Sequence, residues 1–238
     1  SWNRTVKNSV TGELVHRNDT YFVRGVNQKD GKTYWIDLIT FLSNKYKNQN
    51  NVNLYFYGCS DCSEVATFLM TLLSKFPKDI VEKFSNVKAI DIDPVAIEKA
   101  KKNLYTLNKY EISRLKDLLG DKVFEYFNNF PKFDVDKVDV SLSDIIFSKI
   151  KHRNANILHD MKNIKQNDSV VFARAFWPYL GYDISALSKK LGKRLQNNST
   201  LVLNEFDRRG CSWHNADIDK LLHENGFKDS SIDLVFDK

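Results

Sequence analysis

Two stretches of the chain share one pattern, in which a short apolar run gives way to apolar residues at helical spacing. Asn53 to Phe76 begins with NLYFY, breaks at small and acidic residues, and continues as a helical pattern; Val87 to Tyr105 repeats this order. The pattern predicts strand, turn and helix, twice in succession. Two such units form a βαβ arrangement, whose parallel strands end at one edge of the sheet, where open α/β sheets bind ligands.

The rest of the chain continues the alternation. An amphipathic helix carries Trp35, Leu38, Ile39 and Leu42 on one face. The further predicted elements are a helix from Glu111 to Phe127, an inserted β element or loop from Asn128 to Ile146, strands at Ala155 to Leu158 and Ser169 to Phe176, a helix from Tyr182 to Gln196, a strand from Ser199 to Phe206, a helix from His214 to Glu224 and a strand from Ile232 to Phe236.

Composition and charge exclude several classes of protein. The 238 residues are 42% hydrophobic and 28% charged, and the net charge of +6 is spread over many lysines. No basic run is interleaved with aromatic residues, so we expect no nucleic-acid binding. No run approaches the ~20 apolar residues of a membrane span, and the first ten residues contain no apolar signal core. We therefore expect a cytoplasmic protein without membrane insertion.

The three cysteines raise the question of a metal site. Cys59 and Cys62 form a CxxC pattern, and Cys211 with His214 forms CxxH, a set that suits zinc in type and number. The two pairs lie far apart in sequence, and the first occupies the predicted ligand turn. An odd number of cysteines also argues against a disulfide framework. We favour small, partly buried thiols and predict no metal.

The residues at the predicted sheet edge suit a nucleoside ligand. Asp91 closes the second strand, where a carboxylate can accept both hydroxyl hydrogens of a ribose. Gly58 is the only glycine of the first turn, so no pyrophosphate fingerprint is present. S-adenosylmethionine fits, with Glu64 or Asp61 as acceptor for its ammonium group. The alternatives are a solvated carboxylate at Asp91 and a helix first-turn charge at Glu64.

Arg174 is the one charged residue of an apolar predicted strand. A buried arginine is costly unless it is paired or faces a cleft. We favour a cleft-facing side chain; the alternative is an ion pair with Asp91 or Glu205.

Five motifs, in order and at similar separations, resemble those of the CheR-type chemotaxis-receptor glutamate methyltransferases. The resemblance covers nearly the whole chain from Asn18. The matching segments are Asn18 to Arg24 (family Asn-Glu-Thr-x-Phe-Phe-Arg), Ser60 to Glu64 (Ser-Thr-Gly-Glu-Glu), Ile90 to Asp93 with Ile97, Ala100 and Tyr105 (Ser-Asp-Ile-Asp, Leu-x-x-Ala, Tyr), Asn156 to Leu158 (Asn-Leu-Leu), and Phe172 to Ala175 with Tyr179 and Leu180 (Phe-Cys-Arg-Asn, Tyr-Phe).

The resemblance implies a Rossmann-like class I methyltransferase fold, α/β with a mostly parallel central sheet and a small inserted β or loop element. It implies a segment at residues 1–50 that closes over the cofactor, and a methyltransferase domain at 51–238 with an insertion at about 128–150. The cofactor implied is S-adenosylmethionine, with S-adenosylhomocysteine as product. The cofactor-binding residues implied are Thr20, Arg24, Gly58, Ser60, Glu64, Asp91, Ile92, Asn156, Ile157 and Arg174.

The reaction implied is methyl transfer to a glutamate carboxylate of a protein substrate, such as a chemoreceptor. Such a carboxylate is already ionised at neutral pH, so no general base is required. Arg24, Arg174 and Tyr179 are implied as catalytic residues that surround the methyl group and the acceptor. The alternative for Tyr179 is a core tyrosine.

The chain departs from the family pattern at two site positions. Cys62 replaces the glycine of the cofactor loop, and Ala175 replaces the Asn after the strand arginine. The inserted segment lacks a glycine-rich β loop, and we expect no counterpart of the family's helical amino-terminal domain in these residues. Two alternatives follow: a methyltransferase of the same fold acting on a small molecule or another protein nucleophile, and a cofactor-binding module without activity.

Overall fold

The computed structural model describes residues 5–7, 14–16, 22 and 34–238. The strands are β1 (Thr5–Lys7), β2 (Leu14–His16), β3 (Asn53–Tyr57), β4 (Val87–Asp91), β5 (Tyr105–Asn108), β6 (Phe127–Asn128), β7 (Lys137–Leu142), β8 (Ile150–Asn154), β9 (Ser169–Ala173), β10 (Thr200–Val202), β11 (Lys228–Asp229) and β12 (Val235–Asp237). The α-helices are α1 (Tyr34–Lys45), α2 (Ser63–Lys75), α3 (Lys78–Phe84), α4 (Pro94–Lys102), α5 (Lys109–Leu119), α6 (Val123–Tyr126), α7 (Asp144–Phe147), α8 (Ile157–Asp160), α9 (Ile184–Arg194), α10 (Glu205–Ser212) and α11 (Ile218–Glu224).

The central sheet has seven strands in the order β11-β12-β10-β9-β3-β4-β8. The five strands from β10 to β8 are parallel, and β12 and β11 pair antiparallel at one end. The carboxyl ends of β3, β4, β8, β9 and β10 therefore meet at one edge. The predicted α/β fold with a mostly parallel sheet is confirmed.

Both faces of the sheet are covered by helices, and each strand divides its side chains between two apolar clusters. In β3, Leu54 and Phe56 join one cluster, whereas Tyr55 and Tyr57 join the other. This follows from the two-residue period of a strand. Phe56 stacks on Phe172 of β9, with ring centroids 3.9 Å apart. Burial on both faces explains why the central strands read as continuous apolar runs.

The inserted element is a three-stranded antiparallel sheet in the order β5-β7-β6. Phe22 is buried against this sheet, with ring centroids 5.0 Å from Tyr105 and 5.4 Å from Phe127. The Thr67 hydroxyl donates to the Phe22 carbonyl, 2.7 Å away. The predicted inserted β element is confirmed, although its first strand begins at Tyr105, before the predicted boundary.

The predicted amphipathic helix is confirmed, because Trp35, Leu38, Ile39 and Leu42 of α1 are all buried. The predicted helix from Glu111 to Phe127 is interrupted. It ends at Leu119, where Gly120 turns the backbone to a φ of 55°.

In the second half, one strand prediction was wrong and another was too long. Ala155 to Leu158 is not a strand: β8 precedes it, and Asn156 caps α8. The polar sequence IKHRN of β8 suits the edge of the sheet and gave no apolar signal. The strand predicted from Ser199 to Phe206 is confined to Thr200–Val202, because Asn204 and Asp207 form a capping box that starts α10.

Further boundaries move, and the strand predicted from Ile232 to Phe236 is β12, which begins at Val235. The strand predicted to reach Phe176 ends at Ala173, so Arg174 lies just beyond it. The last helix begins at Ile218 rather than His214. In the described ranges, no helix combines the length and apolar character that a membrane crossing requires.

Candidate functional site

The turn after β3 has a backbone conformation that is unusual for its sequence. Gly58, Ser60 and Cys62 have φ angles of 68°, 52° and 65°, in the left-handed region that glycine tolerates best. A Cβ added to Gly58 would lie 2.9 Å from Cδ1 of Phe176. Cys62 therefore adopts the glycine-like conformation with a side chain, at a cost of about 1 kcal/mol.

Asp91 links this turn to the next helix. Its Oδ2 accepts the Ser60 N–H at 2.7 Å, and its Oδ1 accepts the Asp93 N–H at 2.9 Å. The Asp93 side chain in turn caps α4 through the Val95 N–H. Asp91 is therefore built into the edge by backbone hydrogen bonds, and the alternative of a merely solvated carboxylate is wrong.

Asparagine side chains join the ends of β4 and β8 along this edge of the sheet. The Asn154 side chain donates to the carbonyls of Asp91 and Ile92, at 2.9 and 3.0 Å. Asn156 Oδ1 accepts the Leu158 N–H at 2.9 Å and caps α8, in which Ile157 is 7% exposed. Asp91, Ile92, Asn156 and Ile157 thus lie along one stretch of the edge.

Arg174 occupies a buried corner at the end of β9, and it is 9% exposed. Its Nη1 lies 3.0 Å from Oε1 of Glu64, in the first turn of α2. The guanidinium carbon lies 4.9 Å from the Tyr34 ring centroid and 4.8 Å from that of Trp35. The ion-pair partner is thus Glu64, itself a predicted site residue, rather than Asp91 or Glu205.

Several hydrogen-bonding groups of this corner have no partner among the described residues. In the ranges that the structure describes, Nε and Nη1 of Arg174 are buried and find no hydrogen-bond acceptor, because the close approach to Glu64 is poorly directed for Nη1. The Tyr34 hydroxyl is likewise buried without a partner. Burial raises the pKa of Tyr34 to about 12; the Arg174 charge opposes this shift and the Glu64 charge adds to it. Buried N–H groups without acceptors are costly, so the corner suits a ligand that supplies oxygen atoms.

The remaining predicted residues lie apart or outside the described residues. Tyr179 is 53% exposed in a 3-10 helix, Trp177–Asp183, and its ring centroid lies 5.9 Å from that of Phe206. The alternative of a core tyrosine is therefore wrong. Thr20 and Arg24 lie outside the described residues, and the structure gives no account of them.

Two residues of the corner were missed as site residues. Tyr34 and Trp35 fit the apolar face of α1, and Trp35 was assigned only to the core. The signal that could have found them is the solitary Arg174 in an apolar strand. A buried guanidinium is stabilised by aromatic ring faces as well as by a carboxylate.

The cysteines do not assemble into a metal site. Cys59 and Cys62 belong to one apolar cluster and Cys211 to the other, and all three are buried thiols. Burial raises the pKa of Cys59 well above its usual value. Within the described part of the chain, no group of three or more His, Cys, Asp or Glu side chains is arranged to hold a metal ion.

Comparison with known proteins gives one family. The model of the CheR methyltransferase SAM binding domain matches residues 18–208. No curated protein matches the chain in sequence.

Solved methyltransferase structures are similar at low identity. The N-methyltransferase NodS from Bradyrhizobium japonicum WM9 is 14% identical with a TM-score of 0.43, over 85% of this chain and 95% of that one. Precorrin-6y C5,15-methyltransferase from Geobacter metallireducens GS-15 is 11% identical with a TM-score of 0.44, over 81% and 72%. Magnesium protoporphyrin IX methyltransferase from Synechocystis PCC 6803, solved with bound SAM, is 12% identical with a TM-score of 0.41, over 85% and 76%. These scores carry no argument about the chemistry of this chain.

Proposed function

The chain belongs to the CheR methyltransferase family and contains its S-adenosylmethionine-binding domain, and from this premise we propose that it methylates a glutamate side chain of a protein. That it is an S-adenosylmethionine-dependent methyltransferase follows from the family. The observation that carries the proposal of a carboxylate acceptor is Arg174, a buried guanidinium with two unsatisfied nitrogen atoms beside Glu64.

The residues of the edge fit the cofactor. The ligand has an ammonium and a carboxylate in its tail, and the corner offers the Glu64 carboxylate and the Arg174 guanidinium, 3.0 Å apart. Gly58 fits closely against Phe176 and leaves no room for a side chain at the turn. The buried Arg174 nitrogens that form no hydrogen bond are the more specific of these observations, because a carboxylate oxygen would satisfy them.

We assign the binding roles as follows. Asp91 accepts the ribose hydroxyls, beside Gly58, Ser60 and Ile92. Asn156, with Ile157, recognises the adenine edge, because an amide can both donate and accept. Glu64 accepts the ammonium group by a charge-assisted hydrogen bond. Thr20 and Arg24 close over the site from the segment at residues 1–50, and residues 51–238 form the methyltransferase domain.

S-adenosylmethionine, when bound, supplies an electrophilic methyl group. The protein then has to align the acceptor oxygen with that group and to keep water away. Arg174 and Arg24 orient the acceptor carboxylate, and Tyr179 borders it from the exposed side. No side chain needs to remove a proton, since a glutamate with a pKa near 4.3 is already ionised. Burial of Arg174 against Tyr34 and Trp35 strengthens its electrostatic interaction with the carboxylate.

The acceptor we propose is a glutamate in a chemoreceptor-type protein, and the location we propose is the cytoplasm. The cytoplasmic location agrees with the three buried cysteines, which are all thiols, since reducing compartments keep cysteines in that form.

The test is methyl transfer from labelled S-adenosylmethionine to a receptor-derived peptide that contains glutamate. Matched peptides carry glutamine or aspartate at the same position. We expect label only in the glutamate peptide, released as methanol by mild alkali, as a methyl ester requires. Binding of S-adenosylhomocysteine without label in any glutamate peptide would overturn the proposed acceptor and favour a small molecule or an inactive module.

Arg174→Lys tests the proposed role of Arg174 in orienting the acceptor carboxylate. Lysine keeps the charge but loses the planar donors and the stacking on Tyr34 and Trp35. We expect the transfer rate to fall about 100-fold, which is about 2.7 kcal/mol of activation free energy. Arg194→Lys is the matched control, because Arg194 donates to the carbonyls of Ile164 and Lys162, away from the corner around Arg174. Equal rates for the two variants would contradict the role of Arg174.

A further inference from the structure

A fully buried carboxylate, Asp207, holds the turn that follows Arg174. Its Oδ2 accepts the Ala175 N–H at 2.9 Å, and its Oδ1 accepts the N–H groups of Phe176 and Trp177 at 3.0 and 3.1 Å. Asp207 is 0% exposed. Three consecutive backbone donors thus converge on one side chain, as they do on bound anions.

The same carboxylate is fixed at its own end. Asp207 Oδ2 accepts the Asn204 N–H at 3.0 Å, and Asn204 Oδ1 accepts the Asp207 N–H at 3.2 Å, which starts α10. Helix α10 also packs tightly on the turn: a Cβ added to Gly210 would lie 2.2 Å from Cγ of Pro178. The helix and the turn are therefore held together as one unit.

The turn needs this support because of Ala175. Its φ of 61° lies in the left-handed region, which is unfavourable for an alanine. This turn ends β9, leaves Arg174 in the corner with Glu64, and begins the 3-10 helix that carries Tyr179. A different conformation at Ala175 would move both residues.

We propose that Asp207 is a positioning residue, which fixes Arg174 and Tyr179 at the site by holding the backbone of residues 175–177. The inference rests on the proposed role of Arg174 but not on the identity of the methyl acceptor. Cofactor affinity, which does not involve the acceptor, measures the positioning effect of Asp207. Burial raises the pKa of Asp207 to about 6, and its four backbone hydrogen bonds oppose this shift. Burying a carboxylate that is ionised at neutral pH costs free energy, which the four backbone hydrogen bonds to Asp207 offset.

The test compares Asp207→Asn with Leu222→Ala. Asparagine keeps the size but replaces one acceptor oxygen by a donor, so at least one pair of backbone N–H groups loses its acceptor. Leu222 is buried in the apolar cluster that contains Phe176 and Trp177, and its truncation lowers stability without removing a hydrogen bond from the turn. By calorimetry with S-adenosylhomocysteine, we expect Kd to rise at least tenfold in Asp207→Asn and less than twofold in Leu222→Ala. Equal values of Kd in the two variants would overturn the proposal.

Hydrogen exchange gives a second readout that does not depend on ligand. We expect the amides of residues 175–177 to be protected in the wild type and to exchange faster in Asp207→Asn. Exchange of these wild-type amides at the rate of exposed loops would also overturn the proposal.

Two double variants separate positioning from general stability. Glycine adopts a positive φ readily, so Ala175→Gly in the Asp207→Asn background should restore most of the affinity; this variant also serves if the single one does not fold. Arg174→Lys combined with Asp207→Asn should bind within twofold of Arg174→Lys alone, because Asp207 acts through Arg174. Additive losses would contradict this. A failure to methylate glutamate peptides leaves these binding measurements intact, so the two proposals fail separately.

Discussion

The two sides of the binding edge satisfy their polar groups in opposite ways. On the β4–β8 side, Asp91, Asn154 and Asn156 all hydrogen-bond to the backbone of neighbouring turns. On the β9 side, Arg174 approaches Glu64 between two aromatic rings, and two of its nitrogen atoms have no hydrogen-bond acceptor in the described part of the chain. The first side has its polar groups bonded before any ligand arrives, whereas the second has an electrostatic cost that a ligand can remove.

This difference suits the two sides to different parts of a ligand. A preformed backbone-bonded surface suits a neutral, rigid group such as a nucleoside. A buried ion pair with unsatisfied donors suits a zwitterionic tail or a carboxylate, whose charges replace the missing partners. Ligands that lack one half of the cofactor can therefore test each side separately.

The largest effect is expected for Asp91→Ala on the β4–β8 side. The change removes the acceptor proposed for the ribose and the bonds that hold the Ser60 and Asp93 N–H groups. We expect Kd to rise about 100-fold, or about 2.7 kcal/mol, for both S-adenosylhomocysteine and 5′-methylthioadenosine, which lacks the amino-acid tail. Calorimetry measures both. Asp217→Ala, which removes the cap of α11, is the control and should bind normally.

A smaller and more selective effect is expected for Glu64→Gln on the β9 side. The charge that pairs with Arg174 is lost while the shape is kept. S-adenosylhomocysteine should bind about tenfold more weakly, about 1.4 kcal/mol, and 5′-methylthioadenosine should bind as before. An equal loss of affinity for both ligands would show that Glu64 does not act on the amino-acid tail alone, and would contradict separate roles for the two sides.

Asn156→Asp separates helix capping from adenine recognition. Aspartate caps helices as well as asparagine does but has no amide donor. We therefore expect unchanged thermal stability and about fivefold weaker binding of both ligands, about 1 kcal/mol. A variant that binds normally would show that Asn156 serves only as the cap of α8.

A separate prediction concerns stability, pH and the Asp207 carboxylate. Its pKa of about 6 lies above the usual value of 3.8, so the folded state takes up the proton more readily than the unfolded chain. The stability that this group contributes is therefore fully present below about pH 4 and is lost as pH rises through about 6.

The free energy of unfolding of the wild type, relative to Asp207→Asn, should therefore fall by at most about 1.4 kcal/mol per pH unit in this window. Denaturant unfolding at several pH values measures it. Cys211, which faces Asp207, does not titrate there, because burial and then the Asp207 charge raise its pKa to about 12. A difference that stays constant between pH 4 and 6 would contradict the raised pKa.

Much of the fold was predictable because its centre is regular. The βαβ unit, the face of α1 and the inserted β element each follow from apolar spacing over many residues. Strand β8 was missed because it is polar and lies at the sheet edge, and α10 was missed because its apolar residues are few and follow directly on a strand. At residues 204–207, helix capping by Asn204 and Asp207 outweighed the apolar pattern that predicted a strand.

The contacts of the candidate site were predictable in part. Motif order indicated Asp91, Glu64 and Arg174, and the structure brings Glu64 and Arg174 into contact. The Arg174–Glu64 pairing and the aromatic faces of Tyr34 and Trp35 depend on how α1 and α2 pack, which sequence spacing does not encode. Asp207 was missed for the same reason: its partners lie some thirty positions earlier in the chain.

The corner around Arg174 also contains its own fluorescent reporters. Of the four tryptophans in the sequence, Trp35 lies under the guanidinium and Trp177 lies on the turn held by Asp207, both fully buried, whereas Trp213 is 65% exposed. A charged ligand beside Arg174 changes the electric field at the Trp35 indole, and a shift of the turn changes the surroundings of Trp177. Intrinsic emission can therefore follow the arrival of ligand in real time, without a label, on the unmodified protein.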